Sequence, residues 1–144
     1  MILTNAQLQD TLRRAGWPES LVPIMAAVGL AESSGNPRAV AHTSAEYSVG
    51  IWQINTYAHT QYSVNDLYDP DFNARAALEI YHTQGLHAWS TYTSGAYRKY
   101  LTGTLSAGAN NALAMLNNPQ TMDYLVGGGT ILITLAIIKR LARR

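Results

Sequence analysis

Hydrophobic residues fall at helical spacing over most of the first hundred positions. In residues 4–15, Leu8 and Leu12 stand four apart on one face. Thr4 or Asn5 can cap the start, Thr4 and Gln7 have the spacing of a capping box, and Gly16 stops the run. Residues 18–34 form a second predicted helix, with Pro18 or Ser20 near its start. Its apolar residues Leu21, Val22, Ile24, Met25, Val28 and Leu30 leave almost no polar face, so it belongs in a core. The following SSGNPRAVAHTSAEYSVG is rich in Ser, Asn, Gly and Pro and has no helical period. It reads as loop with a small hairpin around residues 47–54, in the kind of segment where binding residues concentrate. Asp69 before Pro70 then marks a helix start, the helix continues over 72–83, and Gly85 ends it. Short segments at 89–92 and 95–101 are expected to pack back on that helix.

Beyond Leu101 the pattern changes. Residues 102–123 are mostly small, amide and scattered apolar residues with a weak helix near 105–116, and read as a linker or stalk. Residues 124–138 carry no charge and hold Leu125, Val126, Ile131, Leu132, Ile133, Leu135, Ile137 and Ile138; Lys139, Arg140, Arg143 and Arg144 follow. As a helix these fifteen residues span about 22 Å at ~1.5 Å per residue, short of the roughly 30 Å hydrocarbon core. Leu141 and Ala142 extend it if Lys139 and Arg140 snorkel, which makes 124–144 a candidate transmembrane anchor. The alternative is a helix packed on protein, a setting the consecutive glycines 127–129 also suit. The expected organisation is a catalytic-sized domain over 1–101, a linker over 102–123, and a hydrophobic helix with a basic end over 124–144. The expected fold class is mainly α, a compact helical domain with a small hairpin or loop region.

Composition narrows the partners. The 144 residues include ten Lys or Arg against nine Asp or Glu, and only 13% are charged. That charge builds no field for a polyanion, so nucleic acid is excluded as the main partner. Four of the ten cations lie in residues 124–144, which hold no acid. There is no Cys, hence no disulfide framework and no thiolate metal site. His42, His59, His82 and His87 lack metal-ligand spacing and read as solvent-facing, so no metal or cofactor is expected. The first residues lack the charged start and apolar run of a secretory signal.

One acid stands out by its setting. Leu21, Met25, Val28 and Glu32 follow one another at steps of four, three and four, so an apolar helical stripe ends in a carboxyl. Apolar surroundings destabilise the ionised form and raise the pKa, which is what a general acid needs. The plainer alternative has Glu32 in water or paired with Arg38. Some twenty residues later, Tyr47 to Asn55 supply amides and aromatics on a turn able to fold over that helix end. Amides donate and accept together, as sugar hydroxyls and acetamido groups require. Twelve of the thirteen aromatics are Tyr or Trp, rings with a polar handle.

These residues resemble a known family. Ala31, Glu32, Ser33, Ser34, Gly35, Asn36 and Pro37, followed by Gly50, Ile51, Trp52, Gln53, Ile54 and Asn55, are similar to the lysozyme-like lytic transglycosylase superfamily, with its catalytic Glu before Ser and its Gly, apolar, apolar, Gln motif. Asp69, Pro70 and Asn73, then Trp89, Ser90, Tyr92, Ser94, Gly95, Tyr97, Tyr100 and Leu101, resemble the end of that domain in phage-borne peptidoglycan-degrading proteins. The resemblance spans about residues 17–101 and implies a lysozyme-like α+β fold.

Carried onto this chain, the resemblance makes Glu32 the acid that protonates the glycosidic oxygen between N-acetylmuramic acid and N-acetylglucosamine. It gives Ser44, Gln53 and Tyr92 substrate-binding roles, beside the amide and aromatic candidates Asn55 and Trp52. Glycosidases that hydrolyse usually need two carboxyls. Similar lysozymes carry Asp two residues before the motif glycine, where this chain has Ser48. The expected reaction is therefore transglycosylation, with Glu32 serving as acid and then as base toward the sugar's own C6 hydroxyl. Glu46 is the candidate second carboxylate that would restore hydrolysis. A rival reading from another class is a structural or membrane-perforating phage protein that keeps the domain as a wall-binding module. The expected partner is the peptidoglycan glycan strand, with membrane or virion proteins as candidate partners of the C-terminal helix. The expected location is a phage virion acting in the periplasm, anchored by that helix if it spans.

Overall fold

The computed structural model describes residues 1–103 and, farther along, the strands within 124–133. The chain divides into two units, Met1–Thr104 and Leu105–Arg144.

Local chemistry sets the first helix. In α1, Asn5–Arg14, the Thr4 side chain accepts from the Gln7 N–H while Gln7 Oε1 accepts from the Thr4 N–H at 2.9 Å, so two otherwise unpaired donors are satisfied. Leu8 and Leu12 are fully buried. The central helix α2, Val22–Ser33, begins four residues after the expected start. The Pro18 carbonyl accepts from the N–H groups of Leu21 and Val22, closing a turn first, and a proline in the first helical turn costs no hydrogen bond. Val22, Met25, Ala26, Ala27, Val28 and Gly29 are all buried, as expected for a helix apolar on nearly every side. Ser34 adopts a left-handed conformation (φ 56°) and ends it, leaving Glu32 in the last turn.

A three-stranded antiparallel sheet follows: β1, Val40–His42, β2, Tyr47–Val49, and β3, Ile54–Asn55, in that order across the sheet. The expected hairpin is β2 with β3, where Val49 pairs with Ile54; β1 adds a strand, with His42 opposite Tyr47. A single turn, α3, Val64–Leu67, leads into α4, Pro70–Gln84. The Asp69 side chain accepts from the Phe72 N–H at 2.7 Å and Gly85 closes the far end, as the sequence predicts. A 3₁₀ turn, Gly85–Ala88, packs on α4, whereas α5, Ser90–Thr93, and a 3₁₀ stretch, Ala96–Gly103, pack against α2. The expected return of 89–101 onto α4 thus becomes a return onto the central helix, which places α5 beside Glu32. The first unit is mainly helical with one small sheet.

In the second unit, the expected hydrophobic helix over 124–138 is corrected at residues 124–127 and 130–133. There the chain forms β4, Tyr124–Gly127, and β5, Thr130–Ile133, paired antiparallel with Tyr124 opposite Ile133. Three successive glycines each cost a helix about 1 kcal/mol. Val126, Thr130, Ile131 and Ile133 are β-branched, and the sequence between the two strands is Gly-Gly, a pair compatible with a two-residue hairpin connection. Among the described residues, no helix is long and apolar enough to cross a membrane. The expected linker, from residue 104, the rest of the expected helix at 134–138 and the basic end after it lie outside the described residues.

Candidate active site

The site depends on how closely the sheet approaches α2. Gly29 lies one turn before Glu32, and a Cβ there would come within 2.9 Å of Ile51 and 3.0 Å of the Trp52 indole nitrogen. Only the bare backbone leaves room for Trp52 against the helix, where its Nε1–H donates to the Met25 carbonyl at 2.8 Å. Gly50 turns with φ +82°, and a Cβ there would collide with Asn73 Nδ2. Buried Asn73 fastens the turn to α4: Nδ2 donates to the carbonyls of Val49 and Leu67, and Oδ1 accepts from the Trp52 N–H at 3.0 Å. The turn leaves Gln53 in a left-handed conformation (φ 47°), with its Nε2 donating to the carbonyls of Gly50 and Ala39.

Glu32 is half-buried, and the Thr91 hydroxyl donates to its Oε1 at 2.6 Å. Burial raises its pKa above the ordinary carboxylate value; the Thr91 bond works against that rise and the nearby charge of Glu46 adds to it. Arg38, the sequence's candidate ion-pair partner for Glu32, lies instead over the Tyr68 ring, 5.1 Å from its centroid.

Glu32 opens onto a cleft of about 300 Å³ that Glu46, Ser48, Gln53 and Asn55 also line, with His59 and Trp89 among the other walls. Asn55 Oδ1 accepts from the N–H groups of Tyr47 and Tyr57, which leaves its Nδ2 as a donor for a ligand. Gln53, with Nε2 committed to backbone, offers its carbonyl oxygen. Ser48 is buried two residues before Gly50, and its hydroxyl donates to the Glu46 carboxylate. An amide donor, an amide acceptor and two carboxyls in a mainly polar cleft suit a neutral, hydroxyl-rich ligand with one bond to be protonated.

The other candidates lie elsewhere. Trp52 has no exposed surface and is a core residue. Ser44 is exposed in the turn between β1 and β2 and does not line the cleft. Tyr92 also lies off the cleft wall; its ring stacks on Tyr97 at 5.0 Å and meets His87 edge-on at 6.0 Å. Burial raises the Tyr92 pKa. Sequence reasoning missed Thr91, which lies 59 positions from Glu32 with no local pattern to mark it, and it read His59 as solvent-facing. Among the described residues, no group of three or more His, Asp or Glu could hold a metal ion.

No curated protein matches the chain significantly. The lysozyme-like domain family matches residues 9–91, more than half of the chain, a span that runs from α1 to the threonine bonded to Glu32. The chain therefore belongs to the lysozyme-like superfamily of peptidoglycan-acting glycosidases and transglycosylases.

Proposed function

We propose that the protein is a peptidoglycan lytic transglycosylase that cuts the β-1,4 bond from N-acetylmuramic acid to N-acetylglucosamine, with Glu32 as both acid and base. The observation that carries this reading is the half-buried Glu32, bonded to Thr91 and facing a cleft of amides. Burial raises its pKa, which favours the protonated form that a glycosidic oxygen needs. As the bond breaks, the substrate's own acetamido group stabilises the positive charge at the anomeric carbon. The ionised Glu32 then takes the proton of the sugar's C6 hydroxyl, whose oxygen closes an anhydro ring. Gln53 and Asn55 hold the acetamido and hydroxyl groups. The neutral Ser48 at the position of the usual second acid supports a mechanism with one carboxyl.

Hydrolysis is the second reading, favoured by Glu46: it lines the same cleft, its charge acts on Glu32, and Ser48 holds it. In that scheme Glu46 would activate a water. Mass spectrometry of the released muropeptides separates the two, since transglycosylation leaves anhydro ends one water lighter and hydrolysis leaves reducing ends. Glu32→Gln tests both against a non-catalytic wall-binding module: peptidoglycan clearing by the folded variant would refute the catalytic role. The likeness of residues 89–101 to phage-borne proteins supports, as part of this proposal, delivery by a virion during infection. Its absence from purified particles would refute that part.

A further inference from the structure

The proposed chemistry leaves one ionisable side chain of the cleft wall without a part. Among the described residues that line the cleft, Glu32 and Glu46 can carry negative charge, and only His59 can carry positive charge. His59 is half-buried and lies in the loop between β3 and α3. Among the described residues, none hydrogen-bonds an imidazole nitrogen of His59, so both nitrogens are open to a ligand.

The loop holds that ring in place. The His59 N–H donates at 2.9 Å to the carbonyl of Asn55, another cleft residue, and the His59 carbonyl accepts from the Tyr62 N–H at 3.2 Å. The Tyr62 ring lies 6.3 Å from the imidazole, tilted by 36°, and meets Phe72 of α4 edge-on at 6.1 Å. The Tyr62 hydroxyl donates at 2.5 Å to Oε2 of Glu79, the residue before Ile80 of the cleft wall. Burial, with the Glu79 bond adding to it, pushes the Tyr62 pKa up to about 12, so the hydroxyl keeps its proton and the bond persists well above neutrality. Backbone bonds to β3 and a side-chain clasp on α4 thus seat the imidazole before any ligand arrives, and a seated donor loses little freedom on binding.

We propose that His59 is a specificity residue that binds the carboxylate carried on N-acetylmuramic acid, and that Tyr62 and Glu79 position it. The proposal rests on the reading of the cleft as a glycan-cutting site. The sugar rings themselves are neutral, and acid groups occur on every second ring only. They are the lactyl carboxylate where the muramic acid is bare, or the carboxylates of the stem peptide where the lactyl group is amide-linked to it. Ionised Glu32 and Glu46 repel such a group, so the wall favours it only where a donor of opposite charge meets it. An imidazole donates an N–H to a carboxylate in either protonation state and adds positive charge when protonated. His59 thereby distinguishes peptidoglycan from an uncharged polymer of N-acetylglucosamine.

The test uses three ligands with the same number of sugars: uncharged N-acetylglucosamine oligomers, peptide-free peptidoglycan strands and stem-bearing strands. Each is titrated into full-length Glu32→Gln protein, which keeps the cleft and stops cutting. Adding His59→Ala should lower the affinity for a carboxylate-bearing strand about tenfold and leave that for the uncharged oligomer unchanged. A loss confined to peptide-free strands identifies the lactyl carboxylate as the group bound, and a loss confined to stem-bearing strands identifies the stem. Tyr62→Phe, which removes the bond to Glu79 and keeps the ring, should give a smaller loss with the same selectivity. Melting temperatures near that of the Glu32→Gln parent show that the variants are folded. An equal loss on all three ligands would make His59 part of the cleft's shape and overturn carboxylate recognition. Unchanged affinity for every ligand would overturn the role of His59 and leave the cleft reading intact, and unchanged binding by Tyr62→Phe alone would overturn the positioning. If the Glu32→Gln parent bound none of the three, the cleft reading would fall as well.

Discussion

The two oxygens of the Glu32 carboxyl are not equivalent. Thr91 donates to Oε1, so a proton held by the acid sits on Oε2, the oxygen free to meet a substrate. The same bond favours the ionised form and so restrains the rise that burial imposes. Thr91→Val removes that restraint. The Glu32 pKa should climb further, and the basic limb of the pH profile, where the acid loses its proton, should move to higher pH with reduced turnover. Thr91→Ser should restore both. A limb that stays in place, read from kcat/KM against pH, would mean that Thr91 only fills space. Glu32 also affects stability. Its folded pKa lies above the ordinary value of 4.5, so the folded state holds the proton more tightly. Its contribution is full below about pH 4.5 and is lost as pH rises from there through the folded pKa. Glu32→Gln should erase that slope, be at least as stable as the parent near neutrality, and cut activity by about a hundredfold to ten-thousandfold. Denaturation midpoints across pH check the first two outcomes.

At the scale of elements, helix ends were legible because capping is local: Thr4 with Gln7, and Asp69 with Pro70, act within a few residues. The rotation of α5 was not. Neighbouring helical positions point about 100° apart, so one position decides whether Tyr92 or Thr91 meets the acid. That rotation depends on tertiary contacts of the preceding Trp89, whose indole donates to the Trp52 carbonyl at 2.9 Å. The motif from Gly50 to Asn55 was legible as a site, but the burial of Trp52 within it depends on Gly29 and Asn73, which lie far from it in sequence. Apolar content in 124–133 suits helix and strand alike, and there the glycines and β-branched residues outweighed the helical reading. The turn's dependence on Asn73 can be measured. Asn73→Ala leaves the Trp52 N–H and the carbonyls of Val49 and Leu67 without their side-chain partner, and each unpaired buried group costs about 1–3 kcal/mol. The variant should lose about 3 kcal/mol or more in urea unfolding, and cleavage should fall with it because Gln53 rides on the same turn. A loss under 1 kcal/mol would show that other contacts hold the turn.

Across the whole molecule, the three indoles join parts of the chain that local signals leave separate. Trp17 donates to the Ala74 carbonyl of α4, Trp52 to Met25 of α2, and Trp89 to Trp52 itself. Trp17 and Trp89 meet edge-on at 6.5 Å, so the indoles run as one wedge from α4 through to α2, and Trp89 also forms part of the cleft wall. The acid, its threonine and the amides therefore share a frame made of core side chains. The residues of the buried core cluster fall between Leu8 and Trp89, and every cleft residue named above lies in the same unit, Met1–Thr104. A chain ending at Thr104 should therefore unfold in one cooperative transition, with a melting temperature within a few degrees of the full chain, and should still cut isolated glycan strands. Calorimetry and muropeptide release check the two outcomes separately. A broad, non-cooperative melt would mean that residues 105–144 contribute to folding of the lysozyme-like unit, whereas an intact melt without cutting would assign them a part in the reaction.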